Sequence, residues 1–94
     1  MKDYQTALLG IIENFLANKM DGNAFDEAFA AIYDFEEPDN GIDGNYQNYF
    51  ELVRAYLTRF TSFPDDVKEY PGFYMDEPTL KAKIIATKEN IFDN

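Results

Sequence analysis

Cysteine, histidine and tryptophan are all absent from this chain of 94 residues. Without cysteine or histidine there is no disulfide scaffold, no thiolate nucleophile, no imidazole base and no ordinary zinc ligand set. Most chemistries open to a small enzyme are thereby removed, and the lack of cysteine suits a reducing compartment. Cations are scarce as well: eight Lys and Arg stand against eighteen Asp and Glu, a formal net charge of -10. None of those eight falls between Lys19 and Arg54, a zone that holds nine carboxylates. Long apolar runs are also missing. The longest patch near the start, residues 7–12, is interrupted by Glu13 and Asn14, too soon for a signal peptide or a membrane span. A cytoplasmic location is the expectation.

What is present is enough for one core. Apolar residues make up 46% and aromatics 17%, which allows a single domain over residues 1–94 to fold without covalent staples. The charge disfavours nucleic acid and anionic membrane as direct partners, because both are anionic, and favours a basic protein. Solubility alone also accounts for an acidic surface.

Helical periodicity dominates the chain. In residues 3–19, Tyr4, Leu8, Ile11 and Phe15 share a face, with Asp3 placed to cap the start and Lys19 near the end. A turn over Met20, Asp21 and Gly22 leads to a second helix capped by Asn23, in which Phe25, Ala28, Phe29, Ile32 and Tyr33 recur at helical spacing. Pro38 ends it near Phe35. A third helix over residues 46–61 carries Tyr49, Phe50, Val53, Tyr56, Leu57 and Phe60, with Arg54 and Arg59 expected in solvent. Residues 67–72 read as an irregular or single-turn segment. Asp76 caps a fourth helix that tolerates Pro78 in its first turn and buries Leu80, Ile84, Thr87 and Ile91. Lys81, Lys83 and Lys88 are expected to face water. No segment alternates with a period of two. The fold predicted is all-α, a small antiparallel four-helix bundle.

The stretch from Asp34 to Asn45 concentrates acid and turn residues. Asp39-Asn40-Gly41-Ile42-Asp43-Gly44 looks superficially like an EF-hand loop, but Gly41 stands at the third position and Phe50 at the twelfth, where oxygen ligands are required. No metal or other cofactor is predicted. The adjacent carboxylates Glu36 and Glu37, and Asp65 and Asp66, lack the cleft that would separate an acid from a base, so catalysis is not expected. The acidic zone reads instead as a contact surface whose self-repulsion an oppositely charged partner relieves. Tyr33 and Tyr46 flank it, and tyrosine is common at the energetic centres of interfaces; Tyr49 and Tyr56 read as partly buried core residues whose hydroxyls reach water.

Taken in order, the residues resemble the bacterial self-protective colicin-like immunity proteins, the colicin D type among them. The resemblance lies in Leu8-Leu9, Ile11-Ile12 and Asn14-Phe15-Leu16 ahead of Phe25 and Phe29, then in Pro64-Asp65-Asp66, Tyr74-Met75-Asp76-Glu77 and Leu80. It extends over residues 4–91. Two places depart from the family pattern: Tyr33 stands near a position where members often carry tryptophan, and residues 36–45 match no family motif. The resemblance implies a cytoplasmic inhibitor, not an enzyme. Such a protein neutralises the nuclease domain of a bacteriocin or contact-dependent growth inhibition toxin, commonly a tRNase, by covering its basic active site. It implies a monomer in a 1:1 complex. The candidate contacts are Asp34, Glu36, Glu37, Asp39 and Asp43 with Tyr33 and Tyr46, and Asp65 and Asp66 as a second cluster. The alternative is an acidic interaction protein or nucleic-acid mimic that binds some other basic partner.

Overall fold

Five segments satisfy the helical pattern in the computed structural model, which describes residues 4–34, 44–70 and 72–92. They are α1 (Tyr4–Leu16), α2 (Gly22–Tyr33), α3 (Gly44–Leu57), α4 (Pro64–Glu69) and α5 (Glu77–Phe92). The described residues are thus all-helical, with one helix more than the four predicted. The addition is α4, a six-residue helix that begins three residues before the segment 67–72 expected to be irregular or a single turn. It is too short for periodicity to reveal. Its start is set instead by Pro64 at the first helical position, where a missing N–H matters least.

Helix ends follow from local chemistry. Asn18 adopts a left-handed conformation (φ 64°), which ends α1 before the Lys19 expected from sequence. The Asn18 N–H donates to the Phe15 carbonyl and the Lys19 N–H to the Asn14 carbonyl, the paired bonds of a Schellman stop. Asp21, and not Asn23, caps α2, accepting the Ala24 N–H at 2.8 Å. Asp76 caps α5 as predicted, accepting the Thr79 N–H at 3.0 Å. The predicted cap at Asp3 and the predicted helix end at Phe35 lie outside the described residues.

Packing is built around aromatics. Helix α1 lies against α2, α3 against α5, and α2 against α3. Phe15 and Phe25 stack in parallel planes with centroids 4.2 Å apart, and Phe29 continues the column to Tyr33. Leu8, Ile12, Phe50, Val53, Leu80 and Ile84 close around it, all buried. Each buried side chain of this size contributes roughly 1.5–3 kcal/mol. Of the stripe predicted for α5, Leu80, Ile84 and the one polar member Thr87 are buried, and Ile91 is half-buried. Buried Thr87 donates to the Lys83 carbonyl at 2.8 Å, so the Tyr56 hydroxyl, 2.7 Å away, must be the donor to Thr87.

Among the described residues the only strand-like pairing is an isolated parallel bridge of Phe60 with Met75. The Met75 N–H donates to the Arg59 carbonyl at 2.8 Å and the Thr61 N–H to the Met75 carbonyl at 3.0 Å. This clasp closes the base of the connection that carries α4. Beside it, Phe60 lies so close over Gly22 that any Cβ there would collide with its ring.

Two stability predictions follow from this packing. Gly22→Ala should destabilise the fold by about 1–3 kcal/mol through overpacking. Urea denaturation should show part of that loss recovered when Phe60→Leu is added. Tyr49 carries its hydroxyl into the core with no hydrogen-bond partner among the described residues. Burial, with the Glu13 carboxylate adding to it, raises its pKa well above the ordinary 10.0. The unfolded chain therefore releases this proton first, and stability falls as the pH climbs above about 10. Tyr49→Phe should leave stability at pH 7 unchanged or raise it by up to about 2 kcal/mol. The same variant should lessen the alkaline loss without abolishing it, since burial also raises the pKa of Tyr33.

Candidate protein-binding surfaces

The acidic zone of the sequence becomes, in part, one face of α2 and α3. At its centre Arg54 reaches back across the helix pair, and its Nε and Nη2 donate to the two carboxylate oxygens of Asp34 at 3.1 and 3.0 Å. Arg54 is therefore paired and half-buried, not solvated as expected. The fork fits the carboxylate in a bidentate manner, so this pair orients both side chains as well as neutralising them. Asp26 and Tyr33 also act on Arg54. Burial raises the Asp26 pKa; Arg54 opposes this, while Asp34 and Glu27 reinforce it. Tyr33 feels the same surroundings: burial first, then Glu51 and Asp34, raise its pKa against the pull of Arg54.

The candidate contacts divide accordingly. Asp34 is exposed but tied to Arg54, and Tyr33 is half-buried with its ring stacked on Phe29. Tyr46 packs against Phe92 at 4.7 Å, which makes it part of the α3 and α5 contact. Glu36, Glu37, Asp39 and Asp43 lie outside the described residues. On α4, Asp65 is exposed, whereas Asp66 accepts the Thr61 hydroxyl at 2.8 Å and serves the fold. Among the described residues no group of three or more carboxylates is placed to hold a metal ion, and the rejected calcium loop falls only partly within them.

A second surface was not anticipated. Among the described residues, Phe63 (67% exposed), Tyr70 (54%) and Phe73 (52%) are three of the four exposed large apolar side chains, and all sit on the connection between α3 and α5. They do not hang loose. Tyr70 and Phe73 both meet Tyr74 edge-on, and the Arg59 guanidinium lies 5.4 Å over the Phe73 ring, so Arg59 too has a partner. Val67 of α4 borders a groove on each side. The one toward α2, of about 610 Å³, has Phe60 and Phe63 among its walls and Asp21, Asp76 and Glu77 along it. The other, of about 680 Å³, is bordered by Arg59, Phe73 and Lys83. Sequence reasoning gave these aromatics no role. The signal available was their neighbours: Phe63 precedes Pro64, Tyr70 precedes Pro71, and Phe73 follows Gly72.

The lysines of α5 are likewise engaged more than expected. Lys81 reaches Asn18 and Glu77 and lies over the Phe15 ring at 5.0 Å, and Lys88 pairs with Glu13 at 3.7 Å. No helix among the described residues is long and apolar enough to cross a membrane. Comparison with family models, curated proteins and solved structures found no match.

Arg54→Met tests the electrostatics of the α2 and α3 face. With its one opposing cation gone, the Asp26 carboxyl should titrate at still higher pH, followed by NMR. Stability should fall by about 0.2–1 kcal/mol, the range for partly exposed pairs, and the loss should shrink in high salt.

Proposed function

We propose that this chain is an immunity protein of the colicin-like kind. It binds a cognate bacterial nuclease toxin domain, a tRNase by preference, and blocks its basic active site. The observation that carries this reading is the α2 and α3 face, where Asp34 and Asp26 act on the cation Arg54, Glu27 acts on Asp26 and Glu51 on Tyr33. Glu36, Glu37, Asp39 and Asp43 belong to the connection between those two helices, and the net charge of -10 extends the same field over the whole molecule. A nuclease groove arranged for phosphates meets such a face with complementary charge. Its approach is then hastened by long-range attraction. The resemblance in sequence points to the same partner.

On this reading the chain is a stoichiometric inhibitor, not a catalyst. It acts in the cytoplasm as a monomer in a 1:1 complex and needs no cofactor. Its scaffold is an antiparallel bundle of α1, α2, α3 and α5, a reading supported by the contacts of α1 with α2, α2 with α3, and α3 with α5.

Co-expression with the toxin domain encoded beside it tests the proposal. Survival of the cells and a 1:1 complex by size exclusion are expected; a toxin that stays lethal with no complex overturns it. Replacing Glu36, Glu37, Asp39 and Asp43 together with their amides should slow association by roughly tenfold or more at low salt and flatten its salt dependence.

A further inference from the structure

We propose that the groove between α2, α4 and α5 receives an arginine side chain of a basic protein partner, with Phe63 as the aromatic anchor of that contact. The inference rests on the preceding reading only for the identity of the partner.

Phe63 is 67% exposed at the wall of this groove, and a large apolar side chain left in water beside an apolar cleft marks an interaction site. Phe73 borders the groove on the other side of Val67 and takes no part in this contact. The two backbone hydrogen bonds of the Phe60 and Met75 clasp close the connection. Within it, Thr61 accepts the Phe63 N–H at 3.1 Å while its hydroxyl donates to Asp66, so the turn that presents Phe63 is fixed from both sides.

The groove beneath Phe63 is apolar inside and acidic at its margin. Phe60, Pro64, Val67 and Pro78 supply the first property; Asp21, Asp76 and Glu77 supply the second, with Lys68 as the lining cation. Asp21 and Asp76 each accept one cap N–H, and Glu77 accepts the Gly22 N–H and pairs with Lys81, so it is the two caps that keep an oxygen for a partner. Hydrogen bonds from Thr79 lower the Asp76 pKa, so its charge persists into mild acid. Asp65 and Glu69 stand exposed on α4. An arginine matches all of this: its aliphatic stem packs on apolar walls, its planar guanidinium stacks on a ring, and its fork bonds carboxylates. The chain itself uses the same pairing, with Arg59 over Phe73 and Lys81 over Phe15. A second copy of the chain fits poorly, because it would bring one net charge of -10 against another.

NMR titration of the full chain with the peptide acetyl-Arg-Leu-Arg-amide, and with its citrulline counterpart, tests the groove without any toxin. Saturable shifts at the amides of Gly22, Thr61, Val67 and Glu77 are expected with arginine only, and Phe63→Ala should abolish them. Shifts that are absent, that persist with citrulline, or that concentrate on the α2 and α3 face overturn the proposal. So does a concentration-dependent dimer that Phe63→Ala dissociates.

Binding to the nuclease domain separates the two readings. If the wild-type chain forms no complex, the proposed function fails, while the groove stands or falls on the peptide result. If it does form one, Phe63→Ala should weaken it by about tenfold or more. Helix content should be unchanged in this variant, since the Phe63 side chain is exposed. An affinity within about twofold of wild type would overturn the groove as the contact.

Discussion

Three parts of the chain meet at Gly22, and their arrangement depends on its lack of a side chain. The Phe60 ring lies directly over it, bringing the end of α3 against the start of α2. Its N–H donates to Glu77 at 2.5 Å, which draws the start of α5 to the same point. A glycine at the first position of a helix sacrifices some helical propensity. Here that sacrifice permits a close approach no other residue would allow. Glu77 in turn holds Lys81 at 3.6 Å, and Lys81 reaches Asn18 at the end of α1. One backbone N–H thus begins a chain of contacts that runs from the first helix to the last.

The scaffold was largely legible in the sequence because helical burial repeats every three to four residues. The stripes of α1, α2 and α5 appear where that repeat places them, and the Asp76 cap with Pro78 behind it marks the start of α5. The misassigned ends have a common cause. Asp21 and Asn23 are both competent caps two residues apart, and the choice fell to the tertiary contact at Gly22. Asn18 could end α1 only by taking a left-handed conformation, which side-chain periodicity does not record. The pairing of Arg54 with Asp34 joins residues on different helices, and no local pattern shows that they meet.

The exposed aromatics were less legible, for a different reason. Aromatic residues carry the same hydrophobic signal whether they fill a core or await a partner. Phe63, Tyr70 and Phe73 differ from Phe15, Phe25 and Phe29 only in which backbone holds them. The second group lies on long helices that can turn one face inward. The first lies on a connection closed at its base and punctuated by Pro64 and Pro71, which has no such inward face.

The clasp of Phe60 with Met75 divides labour within the molecule. It is the sole strand-like pairing among the described residues, and the buried core is built almost wholly from residues outside the connection that it closes. Sequence change on that connection would therefore cost the core little. A lineage could alter α4 and the aromatics that flank it while the stacked column of phenylalanines stayed as it is.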